Sequence, residues 1–172
     1  LLYVGRLSKE KGISYLLEAL ATLRSTSRYV DLYIAGGGPL EQEISERTAQ
    51  LGLNDQVHRV GYVAHRDLPD WYRAADLTVM PSLLEWFGVV AAESMACGTP
   101  IVATEAGGVP DIVAQFSCGS LVPPQDAAAL ARAIESVLFS EPRQLPRVES
   151  GRAAFHWPVL VERTLEVFRE MG

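Results

Sequence analysis

At 172 residues the chain is long enough for one domain with a substantial core. Hydrophobic residues make up 48% and charged residues 21%, an ordinary globular balance, and the net charge of −6 comes with no basic block, which argues against a nucleic-acid surface. The two cysteines, Cys97 and Cys118, read as reduced thiols rather than a disulfide or a metal site, and no apolar run approaches the length of a membrane span.

Strand-like apolar runs alternate with helical patterns along the whole chain. Residues 1–4 read as a buried strand with no lead-in, which points to a domain cut from a longer protein. Ile13, Leu16, Leu17, Leu20 and Ala21 share one helical face, so 13 to about 24 is expected to be an amphipathic helix. A second strand is expected over 30–35, closed by Gly36-Gly37-Gly38-Pro39, and a helix over 40–51 stopped by Gly52. Short strands are expected at 57–60, 77–80, 101–103 and 120–122, and helices at 67–74, 89–96 and 109–114. Asp126 is a good N-cap for an Ala-rich helix reaching about 139. A Pro-containing connector follows from 141 to 151, then a last helix over 159–171 with Pro158 at its first turn. This alternation means βαβ crossovers and a parallel α/β sheet, doubly wound and Rossmann-like, with helices on both faces. The expected domains are 1–140, carrying that sheet, and 141–172, the connector and a crossover helix.

In such a sheet, ligands sit beyond the carboxyl ends of the strands. The residues that invite chemistry all follow strands: Gly5-Arg6, Gly36-Gly37-Gly38, Gly61-Tyr62, the stretch 82–88, and Thr104 to Gly108. Glu85 and Glu93 flank a turn at Gly88, and an apolar, helix-compatible run begins just after it. A glycine-opened helix start offers free N–H groups and the positive end of the dipole to an anion. Carboxylates beside it repel phosphate and therefore need another role, of which accepting hydrogen bonds from hydroxyls is the most economical. Phosphate donors next to hydroxyl acceptors describe a pocket for a sugar nucleotide. Arg6 can bind phosphate oxygens bidentately, Lys11 can add a point charge, and Gly5 and Gly12 let backbone approach closely. The triple glycine lacks both the dinucleotide spacing and a Walker lysine, so structural turn and ligand contact both stay open, as do packing and a place along the nucleotide for Tyr62. His58 and His65 read as surface histidines, and Trp71 and Tyr72 as packing residues. Asp111 reads as a helix N-terminal acid.

The stretch 81–103 resembles the donor-binding signature of retaining GT-B glycosyltransferases, and most closely glycosyltransferase family 4 (glycosyl transferases group 1). Glu85 and Glu93 have the Glu-x7-Glu spacing of that signature, and Phe87, Gly88, Met95, Ala96, Gly98 and Pro100 fill the positions around them. The resemblance covers nearly the whole chain but only the C-terminal half of a GT-B enzyme. It implies transfer of a sugar from a nucleotide diphosphate sugar, with retention, to a glycan, lipid or small-molecule acceptor. Glu85, Arg6 and Lys11 would be the catalytic set, with Glu85 on the sugar hydroxyls and the two cations on the diphosphate. Gly5, Gly61, Tyr62, Phe87, Gly88, Val89 and Glu93 would bind the donor, Glu93 through its ribose. Trp86 departs from the small residue or proline usual there, and Asp111 replaces a usual Glu. The resemblance implies no cofactor and no metal, and makes the N-terminal acceptor domain, absent from this chain, the partner across the cleft. Phe155, Trp157 and Phe168 would face that domain. The expected location is the cytoplasm, with any contact at the membrane periphery made through the absent domain. A GT-B epimerase or phosphorylase relative and a non-catalytic nucleotide-binding module are the alternatives, and the isolated domain is expected to bind donor without transferring.

Overall fold

The computed structural model describes residues 1–116 and 119–140. The connector at 141–151, the closing helix at 159–171 with Phe155, Trp157 and Phe168, and Cys118 lie outside the described residues. Six strands form one sheet in the order β3-β2-β1-β4-β5-β6, all parallel. They are β1 (Leu2–Val4), β2 (Leu32–Ala35), β3 (Val57–Gly61), β4 (Thr78–Met80), β5 (Ile101–Thr104) and β6 (Gly119–Val122). Among the described residues six α-helices connect and cover them: α1 (Ile13–Ser25), α2 (Glu41–Gln50), α3 (Leu68–Ala74), α4 (Val89–Ala96), α5 (Val109–Phe116) and α6 (Ala127–Phe139). The expected doubly wound α/β fold is present, and the bounds of α4 are those read from the apolar run.

Period-two alternation splits the core between the two faces of the sheet. Tyr3, Ile34, Val79 and Val102 point to one side, where Leu16 and Leu20 of α1 meet Leu130 and Ile134 of α6. Met80, Ile101 and Ala103 point to the other, beneath Ala91 and Met95 of α4 and Val109 of α5. Near them Leu2 and Ala35 support Leu68 and Tyr72 of α3. The leucines of α1 are fully buried, and each contributes about 2 kcal/mol of transfer free energy. Asp126 caps α6 as expected, its Oδ1 accepting the Ala129 N–H at 2.8 Å.

Strand order reverses at β1 and β4, which are adjacent in the sheet. In doubly wound sheets ligands bind beyond the carboxyl ends of the strands at such a reversal, beside the loops that follow the two strands. The Gly5–Gly12 loop and the 81–88 loop are those two loops.

Candidate functional site

Glycine contacts lock the loops at the switch point against each other. A Cβ on Gly12, at φ +63°, would lie 2.0 Å from the Pro81 carbonyl oxygen, so only glycine lets the loop after β1 pack on the loop after β4. The Leu83 N–H donates to the Glu10 carbonyl at 2.7 Å across the same seam. On the far side, a Cβ on Gly107 would fall 1.5 Å from the Glu85 carbonyl oxygen, and the Gly108 N–H donates to the Trp86 carbonyl at 3.2 Å. The backbone of Glu85 and Trp86 is thus held between two neighbouring loops.

Held there, Glu85 meets Lys11. The Lys11 Nζ donates to Glu85 Oε2 at 2.7 Å, and both groups are partly buried. Burial alone would raise the Glu85 carboxyl, but the Lys11 hydrogen bond and charge, helped by the backbone N–H groups of Gly88 and Trp86, hold it below the ordinary glutamate value. The carboxylate therefore rests at the start of α4, where Gly88 is left-handed and no side chain caps the helix. Arg6, in the same loop as Lys11, is exposed and makes no ion pair with a described residue. Its carbonyl accepts the Tyr3 hydroxyl at 2.9 Å, which pins the loop to the strand beneath it.

The second acid, Glu93, sits in the middle of α4. Its Oε2 accepts the Tyr72 hydroxyl at 2.7 Å, and its Oε1 lies 2.8 Å from His65 Nε2. His65 belongs to a 3-10 turn over His65–Asp67, which follows β3. Glu93 is four residues past Val89, about 6 Å along the helix axis; of its partners, His65 comes from the turn after β3 and Tyr72 from the body of α3. Glu85 thus lies in the turn that leads into α4, and Glu93 lies within that helix.

Several expected roles are refined by these positions. The Gly5 N–H is engaged by the Ala35 carbonyl at 3.0 Å and is not free for a ligand. The triple glycine serves packing between loops: a Cβ on Gly36 would lie 1.9 Å from the Gly5 carbonyl oxygen and one on Gly38 would lie 2.6 Å from that of Leu7. The Gly61 carbonyl joins this seam by accepting the Gly36 N–H at 2.7 Å. Tyr62 is 85% exposed and so does not pack among the described residues, and Trp86 is 87% exposed. Phe87 and Val89 are also exposed beside the helix start. Asp111 lies in the first turn of α5, as a helix acid should. His58 pairs with Asp31 at 2.8 Å and stacks on Tyr33, away from the site. Tyr72, read from the sequence as packing, is 1% exposed and also holds an acid. Cys97 is partly buried and forms no disulfide among the described residues.

Neither of two cavities among the described residues is lined by Lys11, Glu85 or Glu93. One of about 490 Å³, lined by Leu1, Tyr29, Asp31 and Asp76, opens at the amino edge of the sheet. Another of about 420 Å³ runs between α1 and α2. Among the described residues no cluster of His, Cys, Asp and Glu could hold a metal, and no helix is long and apolar enough to cross a membrane.

The pattern of the family described as Glycosyl transferases group 1 matches residues 1–153. The chain belongs to that family. The group 1 chain is 36% identical to D-inositol 3-phosphate glycosyltransferase 1 of Catenulispora acidiphila, over 98% of its own length and 43% of that enzyme's. It thus spans somewhat under half the length of the curated relative it matches. Among solved structures, HepE of Anabaena, in complex with UDP, superposes with a TM-score of 0.82 at 27% identity, over 98% of this chain and 48% of that one. The C-terminal domain of a glycosyl transferase group 1 family protein (LpcC) from Francisella tularensis superposes with a TM-score of 0.76 at 26% identity, over 88% of this chain and 82% of that domain. The group 1 chain therefore has the architecture of a C-terminal GT-B half, with Glu85, Lys11 and Glu93 at its switch point.

Proposed function

We propose that this chain is the donor-binding half of a retaining glycosyltransferase that moves a sugar, of the hexosyl type, from a nucleotide diphosphate sugar to an acceptor. The observation that carries the reading is the Lys11–Glu85 pair at the uncapped start of α4, at the switch point of the sheet, with Arg6 in the same loop as Lys11. A carboxylate there already occupies a place where two cations and backbone N–H groups favour an anion. The donor diphosphate takes that place, and Lys11 exchanges its carboxylate for phosphate oxygens. Glu85, released, turns to the hydroxyls of the transferred sugar. Glu93 accepts hydrogen bonds from the ribose hydroxyls, and exposed Tyr62 offers a face to the base.

As the glycosidic bond breaks, negative charge grows on the leaving diphosphate. Arg6, Lys11 and the N–H groups at Gly88 stabilise that charge, which is why the reading needs no metal. The UDP in the HepE complex supports the same class of ligand. Acceptor and general architecture of the cleft belong to the other half of the enzyme, so this chain binds donor without transferring sugar.

Calorimetric titration with uridine, guanosine and adenosine diphosphates tests the reading. One of the three should bind, and Lys11→Ala should weaken it about tenfold or more, since a charge-assisted contact to phosphate is lost. Binding of none of them, or equal binding by wild type and Lys11→Ala, would remove the basis for the proposal.

A further inference from the structure

Tyr72 has an attachment that packing does not require. Its ring is buried against Leu2, Ala35 and Leu68, and its backbone carbonyl accepts the Thr99 hydroxyl. The hydroxyl alone reaches out of this core, and it ends on Glu93 Oε2 at 2.7 Å. Burial, and after it the hydrogen bond to Glu93, push the phenol pKa far up, so at neutral pH the group does not ionise beside the acid. The two carboxylate oxygens are thus held in different ways. One is fixed by an immobile buried donor. The other faces His65, whose side chain is 85% exposed and is easily displaced.

We propose that Tyr72 is a positioning residue that orients the Glu93 carboxylate to receive the vicinal hydroxyls of the donor ribose. The inference rests on the assignment of Glu93 to the ribose given above. Two adjacent hydroxyls need a carboxylate whose plane is set before they arrive, because a freely rotating glutamate loses rotamer freedom on binding. Tyr72 restricts that freedom in the unliganded protein. It leaves a lone pair on Oε2 and the whole of Oε1 for the sugar once His65 moves aside.

The experiment is calorimetry on wild type and Tyr72→Phe, with uridine, guanosine and adenosine diphosphates and the 2′,3′-dideoxy form of whichever binds best. Wild type should prefer the ribose form by about tenfold or more, the loss expected when hydrogen bonds to a charged group go unmade. Tyr72→Phe should weaken the ribose form about tenfold and leave the dideoxy form within about twofold, because only the former uses the oriented carboxylate. In a Glu93→Gln background the same change should add nothing. An equal loss for both forms shows the hydroxyl to be a folding element and overturns the inference, as does an unchanged ribose preference in Tyr72→Phe. A wild type that binds ribose and dideoxy forms equally, or binds no diphosphate, instead overturns the assignment of Glu93 and the inference with it.

Discussion

Glu85 and Glu93 stand eight residues apart around one helix start, yet the protein holds them by opposite means. Glu85 is in a loop fixed by backbone contacts to Gly107 and Gly108, and its charge is balanced by Lys11. Glu93 is on a helix, and two side chains from the segment after β3 hold it, one a neutral buried phenol and the other an exposed imidazole. An acid paired with a cation must give up that cation before either can serve a ligand. An acid held by a neutral donor stays charged and keeps its remaining lone pairs. The first arrangement suits a group that changes partner during binding, and the second suits a fixed grip.

The largest test of this contrast is Gly107→Ala. The added Cβ would overlap the Glu85 carbonyl, and the residue is left-handed at φ +55°. The substitution should cost about 3 kcal/mol, the sum of a strained φ and a displaced loop, or about 6–12 °C in Tm for a chain of this size. It should disturb the Glu85 side and spare the Glu93 side, so the preference for ribose over dideoxy nucleotide should outlast the loss of diphosphate affinity. A Tm unchanged within error would mean that the two loops are not locked together as described.

A middle-sized effect separates the two acids directly. Glu85→Gln removes the carboxylate that occupies the anion position, so affinity for inorganic pyrophosphate should rise roughly fivefold as Lys11 is freed. Glu93→Gln should leave pyrophosphate affinity unchanged, because its partners are not at the helix start. Equal behaviour of the two variants would dissolve the distinction.

Much of this site is legible in the sequence, because its parts are local. The spacing of Glu85 and Glu93, the glycine before an apolar run, and a cationic loop after the first strand lie within short stretches, and α4 begins and ends where its apolar run does. The supports are not legible because they join distant segments. Nothing near Tyr72 announces that its hydroxyl meets an acid on another helix, and a lone histidine after β3 gives no sign that it faces the same acid. The glycines show the same limit from the other side. Gly12 reads as a place where backbone comes close to something, which is correct, but what comes close is Pro81 in another loop of the chain. Steric need can be read from residue type, whereas the partner depends on topology.

The smallest expected effect concerns pH, and it follows from how Glu85 alone is held. Its carboxyl lies below the ordinary glutamate value of 4.5, since the Lys11 contact and the backbone N–H groups outweigh the opposing effect of burial. A depressed carboxyl gives stability that is complete above the unfolded value and is lost as pH falls through the folded one. The stability difference between wild type and Glu85→Gln should therefore be constant well above the ordinary glutamate value of 4.5 and shrink as pH falls below it, and urea unfolding across that change reads it. Part of the pair is exposed, so the whole difference should be about 1 kcal/mol or less. A difference that did not change with pH would mean that Glu85 stabilises the loop by packing and not by charge. The exchange of Lys11 from carboxylate to phosphate would then lack its driving contrast, because there would be no ion pair to open.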